Sequence, residues 1–261
     1  MHPVVFRVGS YTLYWYSALL CLGILLGVGY AVWRGKSEGY RTLQVLDAAL
    51  WALVGGLLGA RLAYVIPNWG DYASHPAALL KLWGGGLVFQ GGLIGGTLTL
   101  WLYARHAQLP FLRVADVAAP AVALAQAVGW AGAHLHGAHY GLVMRSSLSM
   151  WLPDLYGVYG PRVPIQFLAC ALGLFLFWGL NRLHRWHLRP GTLALLYLLC
   201  NGIGHFGLEF ARADDATSFG LLRATQIAGI LEFVVAGSIL SYVWIARRAR
   251  AYRPEGSAKE R

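Results

Sequence analysis

Seven apolar runs, each near the length that crosses a bilayer, constrain this chain more than any other feature. They fall at about 14–33, 45–66, 87–103, 114–136, 165–183, 191–210 and 222–245. A hydrocarbon core about 30 Å thick takes roughly 20 helical residues. Backbone immersed in lipid must satisfy its own hydrogen bonds, which leaves helices or closed barrels. Composition agrees, since the 261 residues are 57% hydrophobic and only 12% charged, whereas a soluble domain carries about 25% charged residues. The fold expected is an all-α polytopic membrane protein of seven transmembrane helices. Residues 1–246 form one domain, and 247–261 a basic, disordered tail. The eleven Trp and fourteen Tyr suit aromatic belts at the two interfaces.

The net charge of +10 would point a soluble protein toward nucleic acid. Here the basic residues sit in short segments between runs, so topology explains them and no nucleic-acid partner is expected. Arg34, Lys36 and Arg41 follow run one, Arg105 and Arg113 run three, and Arg182, Arg185 and Arg189 run five. Six more basic residues follow run seven. The positive-inside rule assigns this side to the cytoplasm. The N-terminus is then outside and the C-terminus inside, with a structured insertion at 137–163 on the outer side. The first 13 residues alternate polar and apolar and read as strand or irregular surface structure. Cys21, Cys170 and Cys200 lie inside apolar runs without metal-motif spacing, so buried thiols and no disulfide are expected. The first run is long and lacks a basic leader, which argues against a cleavable signal peptide.

Within this frame the stretch GGGLVFQGGLIGG (84–96) holds seven glycines. Each costs about 1 kcal/mol against Ala in a helix interior. Two readings stand: the floor of a polar pocket with Gln90 at its centre, or a tight helix crossing through small residues. Arg61, Gln90, His134, His136, His139, His205, Glu209 and Arg212 lie toward the outer ends of their runs. Singly, each has a plain role, such as Arg61 reaching headgroups or Glu209 pairing with Arg212 one turn away. Together at one depth they mark a candidate site, because ionisable groups in spans face the protein interior or a wet cavity.

The residues in order resemble the prolipoprotein diacylglyceryl transferase family. PVVFRVGSYTLYWYSALL, GARLAYVI, GGGLVFQGGLIGG, RVPIQFL, NGIGHFGLEFARADD and ATQIAGI are similar to successive family motifs. GWAGAHLHGAHYG resembles the family signature G-R-x-G-N-F-x-N-x-E-x-x-G. The resemblance implies a bacterial inner-membrane enzyme that moves the diacylglyceryl group of phosphatidylglycerol onto a lipobox cysteine of a prolipoprotein and releases glycerol phosphate. No cofactor is implied. It implies catalytic roles at His205, His136 and Gln90. It implies lipid headgroup contacts at Arg61, Tyr16, Arg212, Glu209, His139, Gly91, Gly92 and Gly141. Several family positions differ. Gln90 stands for a His, Trp130 for the signature Arg, Ala133 and His136 for its two Asn, Ala138 for its Glu, and His205 for an Arg. The reaction needs a phosphate held as it leaves, which Arg does well, and a thiol deprotonated by a neighbouring base, a role suited to His.

Two functions follow. One is a diacylglyceryl transferase with an altered, His-containing site. The other is a degenerate or repurposed family member that binds lipid or metal. For the metal, His134, His136, His139 and His205 are the candidates with Glu209. Residues 136 and 139 can share a helical face, whereas 134 and 136 do not.

Overall fold

The computed structural model describes residues 4–8, 11–74, 76–81, 85–154, 156–214, 218–219 and 221–251. Eight helices make up its bulk. They are α1 (Trp15–Ser37), α2 (Thr42–Val65), the short α3 (Trp69–Ala73), α4 (Phe89–His106), α5 (Phe111–His136), α6 (Ile165–His184), α7 (Thr192–Glu209) and α8 (Ala224–Ala251). Three two-stranded antiparallel hairpins accompany them: β1 (Val4–Val8) with β2 (Tyr11–Tyr14), β3 (Met150–Pro153) with β4 (Tyr159–Arg162), and β5 (Ser218–Phe219) with β6 (Leu222–Arg223). Small strand elements therefore join an otherwise helical protein, and the N-terminal alternation becomes a β-hairpin.

Among the described residues five helices, α1, α2, α5, α6 and α8, are long and apolar enough to cross a membrane. The other two long helices, α4 and α7, have 18 residues each. Gln90 and four glycines dilute α4, and Asn201, His205 and Glu209 dilute α7, so both fall short in mean hydropathy. α8 runs on to Ala251, into the expected tail, as Arg and Ala are strong helix formers. Residues 252–261 of that tail lie outside the described residues, as does Gly84 at the start of the glycine stretch.

Lipid tails are as apolar as Leu, so helices in a bilayer associate through close packing of small residues rather than by hiding apolar surface from water. α5 follows this rule. Ala119, Ala123 and Ala127, four apart, are 5%, 0% and 1% exposed. They face α6 and α7, where Leu176, Leu180, Leu193 and Tyr197 complete a core. On another side of α5, Gly23 and Gly27 of α1 lie against the backbone oxygens of Ala125 and Ala121. α2 and α4 meet along a glycine seam, where a Cβ on Gly59 would overlap the Gly91 carbonyl and one on Gly95 would overlap that of Gly55. Of the two readings of the glycine stretch, the structure thus shows the helix crossing over residues 89–96. Large side chains such as Leu25, Leu58 and Ile94 point outward. So does Cys21, which is exposed rather than buried.

Two polar contacts tie helices distant in sequence. The Asp116 carboxylate of α5 accepts from the backbone N–H groups of Gly191 (2.7 Å) and Ala194 (2.9 Å). It thereby caps the start of α7, where unpaired N–H groups favour an anion. Tyr30 of α1 donates to Asn181 of α6 at 2.5 Å.

Candidate functional site

α5 ends at Gly137, whose φ of 78° reverses the chain at little steric cost. Two residues on, His139 takes φ 54°, a left-handed conformation uncommon outside glycine. This turn lays 140–142 beside the exit of α7. Gly141 bridges Arg212, Leu142 N–H donates to Ala211 O (2.8 Å), and Ala213 N–H donates to Tyr140 O (3.0 Å). The rest of the insertion is clamped in turn. Arg162 donates to Asp154 (2.9 Å) and stacks on Tyr140, and Gln166 donates to the Ala138 carbonyl (2.8 Å).

At this junction sits Arg212, 9% exposed. It donates to Glu209 (2.8 Å) and through two nitrogens to Asp214 (2.9 and 2.6 Å). Arg223 approaches Glu209 from the far side at 3.5 Å. Arg212 Nη2 also meets His139 Nδ1 at 2.8 Å. A guanidinium has no lone pair to offer, so this contact needs one on Nδ1 and puts the His139 proton on Nε2. With that lone pair in place, the 3.2 Å approach of Asp214 to the same nitrogen carries no hydrogen bond. Burial works against the Asp214 carboxylate, but the paired Arg212 guanidinium outweighs this and holds it well below the usual carboxylate range.

His205 lies one turn before Glu209 on α7. Its ring stacks on Trp130 at 5.7 Å and 22°, and Trp130 also meets His139 edge-on at 5.3 Å. The Nε2 of His205 is 2.8 Å from Gln126 Nε2. From there a buried chain leads inward. Gln126 donates to Asn201 (3.0 Å), Tyr197 donates to Gln126 (3.0 Å), and Asn201 donates to Glu232 of α8 (2.8 Å). Sequence reasoning missed Gln126, Asn201 and Glu232. For Asn201 the signal was there: Tyr197, Asn201, His205 and Glu209 are each four residues apart, a polar stripe along one helical face of an apolar run.

His136 ends α5 between two rings, Tyr14 at 5.3 Å and Tyr16 at 6.0 Å. Its Nδ1 is buried and has no hydrogen-bond partner among the described residues. His134 packs on Phe167 at 4.2 Å. The four histidines thus divide among three surroundings, with His139 and His205 sharing Trp130, and among the described residues no three His, Cys, Asp or Glu side chains gather as metal ligands.

Arg61 and Gln90 belong to the α2–α4 pair. Arg61, 8% exposed, spends its donors on backbone carbonyls: Ala78 (2.7 Å), Leu79 (3.1 Å), Gly85 (2.7 Å) and Gly86 (3.1 Å). Tyr64 and Tyr72 flank its guanidinium at 5.9 and 5.3 Å. Gln90 is in the first turn of α4, with Gly91 and Gly92 beside it on the seam. Among the described residues no hydrogen bond or ring contact joins Arg61 or Gln90 to the histidine groups. The structure therefore brings His139, His205, Glu209 and Arg212 together around Trp130, sets His136 and Tyr16 together at the start of α1, and leaves Arg61 with the backbone at 78–79 and 85–86 and Gln90 in the first turn of α4.

Long apolar helices carrying ionisable side chains on facing surfaces, with hairpins and loops folded over one end, define a multi-pass membrane protein with a polar centre. Residues 3–244 match the sequence profile of the prolipoprotein diacylglyceryl transferases, and the chain belongs to that family. Similar curated proteins are phosphatidylglycerol–prolipoprotein diacylglyceryl transferases from several bacteria. That of Geobacillus kaustophilus is 34% identical over 259 residues, covering 95% of this chain and 93% of its own. That of Bacillus licheniformis is 32% identical over 252 residues, covering 93% and 92%. That of Staphylococcus carnosus is 32% identical over 250 residues, covering 92% and 90%.

Proposed function

We propose that this protein transfers the diacylglyceryl group of phosphatidylglycerol to the lipobox cysteine thiol of prolipoproteins. In this reading it crosses the bacterial inner membrane seven times, with α4 and α7 completing the five apolar spans. The N-terminus is outside, the C-terminus is cytoplasmic, and the centre opens to the outer half of the bilayer. The names of its relatives support the reaction, and the basic segments after α1, α4 and α6 support the orientation.

One observation carries the chemistry: His136 holds a buried, unpartnered Nδ1 between Tyr14 and Tyr16. A ring nitrogen with a free lone pair is what a thiol needs to lose its proton. The S–H proton passes to His136, and the thiolate sulfur attacks the glyceryl carbon bonded to the phosphate oxygen. The C–S bond forms, the C–O bond breaks, and glycerol phosphate leaves with the electron pair. Positive charge and N–H groups aimed at the departing phosphate stabilise that step. His205 supplies a ring N–H, and Arg212, with His139, Tyr16 and the Gly141 backbone, forms the headgroup end, where Glu209 fixes Arg212. Arg61 shapes the opposite wall by holding the loop that precedes Gln90, Gly91 and Gly92.

The test is complementation of a transferase-depleted bacterium, with lipoprotein mass read by mass spectrometry. The chain should restore diacylglyceryl-modified lipoprotein, and His136→Ala should lose it at normal protein level. The Trp130 stack on His205 favours a second reading, a lipid-binding member without turnover, because an indole covers the ring where the family carries a guanidinium. Unmodified lipoprotein together with phosphatidylglycerol retained in native mass spectra would select it.

A further inference from the structure

We propose that Glu232, in the middle of α8, sets the tautomer of His205 through two amides, so that the imidazole carries its proton on Nδ1. The site reading above uses His205 as an N–H donor but leaves open which nitrogen bears the hydrogen. The buried chain behind it decides.

The inference runs outward from the carboxylate. A carboxylate accepts and cannot donate. Glu232 lies 2.8 Å from one end of the Asn201 amide, so that end is the NH₂ and the carbonyl oxygen faces the other way. Asn201 is 1% exposed, and a buried amide seldom leaves polar atoms unpaired. Its carbonyl oxygen meets Gln126 at 3.0 Å, so Gln126 presents its own NH₂ there. The opposite end of Gln126 is then the carbonyl, and it accepts from the Tyr197 hydroxyl at 3.0 Å. The same Gln126 nitrogen stands 2.8 Å from His205 Nε2. Its second hydrogen points at the ring, so Nε2 must offer a lone pair and the ring proton must reside on Nδ1. Each amide orientation follows from its neighbour, and the direction of the whole series is fixed at Glu232.

Isolation in an apolar setting strengthens the case. A carboxyl in a transmembrane segment is costly and is kept for a partner, and among the described residues the hydrogen bond to Glu232 comes from Asn201. Reversing one amide alone would set two N–H groups or two carbonyls against each other in low dielectric, where such a mismatch is expensive. The series therefore holds one direction. Glu232, Asn201 and Gln126 are positioning residues: they touch no reacting atom and act through the imidazole.

The experiment is nitrogen NMR of the full-length protein, labelled at histidine and reconstituted in phosphatidylcholine nanodiscs, with His205 assigned by loss of its lines in His205→Gln. Wild type should show a protonated Nδ1 and a bare Nε2. Glu232→Met, two residues removed from the ring, should give a mixture of both tautomers. Asn201→Ala cuts the series without touching either end and should give the same mixture. Glu232→Gln can still offer a carbonyl to Asn201 and should keep the wild-type pattern. Gln126→Glu places an acceptor against the ring and should move the proton to Nε2. A wild-type His205 protonated at Nε2, or a pattern unchanged in both Glu232→Met and Asn201→Ala, overturns the proposal. The value of this N–H to catalysis rests on the transferase reading, but the measurement needs neither lipid nor peptide. A wrong tautomer sinks the relay alone, and a failed complementation sinks the transferase alone.

Discussion

Arg61 and Arg212 look alike in sequence, each an arginine at the end of an apolar run, and their surroundings divide them. Arg212 is embedded in carboxylates beside a strained histidine. Arg61 is a fork closed on the four carbonyls of Ala78, Leu79, Gly85 and Gly86. Lysine cannot reproduce that planar geometry. Arg61→Lys should therefore leave α2 and α4 folded while hydrogen exchange at 76–81 and 85–88 rises at least tenfold. Asp214 gives a prediction in pH. Its carboxyl is held below the free value of about 3.9. Such a group contributes its stabilisation in full above the free value and loses it as pH falls through that value toward its folded one. Asp214→Asn should cost about 2 kcal/mol, as for hydrogen bonds to a charged group. The gap in thermal midpoint from wild type should stay constant between pH 5 and 8 and narrow toward pH 3.

At the level of elements, the α2–α4 seam rests on close backbone approach, and the Thr99 hydroxyl of α4 adds a hydrogen bond to the Trp51 carbonyl of α2 (2.9 Å). Any side chain at Gly59 forces the two helices apart, because the atom it meets is the Gly91 carbonyl. Gly59→Leu should destabilise on the order of 3 kcal/mol, the upper range for overpacking. Gly29→Leu, at a position with open space around it, should shift the midpoint little; thermal unfolding in detergent separates the two. This is also where the sequence was most and least informative. Apolar length and turn residues placed six of the seven long helices to within a few residues at both ends, while α8 runs on to Ala251. The seam itself was legible only as one of two readings, since glycine clusters serve cavities and crossings alike. Polar side chains were noticed where several crowded the end of a run, as around His134 to His139. They passed unnoticed when scattered singly over three helices, as with Gln126 of α5, Asn201 of α7 and Glu232 of α8, because each alone looks like an ordinary interruption of an apolar stretch. The helical repeat that aligns 197, 201, 205 and 209 reveals Asn201, and only the contacts between helices show that Gln126 and Glu232 face it. The Asp116 contact with α7 had no local signal at all, because its partners are backbone groups of a helix 75 residues away.

For the molecule as a whole, the asymmetry of its two ends is the main physical fact. One end carries short connections rich in arginine and lysine. The other carries the hairpins, the 137–163 insertion and the polar centre. Reporter fusions should resolve the orientation. A fluorescent protein joined after residue 251 should fold and emit, as it does on the cytoplasmic side, and alkaline phosphatase inserted at 147 should be active, as it is outside. The opposite pattern would invert the topology and move the centre to the wrong leaflet for a secreted substrate.

The carboxylate that caps α7 also bears on how the chain comes together as it is made. Asp116 leaves the ribosome early and waits for an N-terminus synthesised much later, so α7 finds its lateral place only when it docks beside α5. A polypeptide severed in the 145–149 connection would still carry one half of that clasp on each piece. Co-translated, the two fragments hold matching addresses within the bilayer, a natural seam along which this enzyme fold can be divided and rejoined.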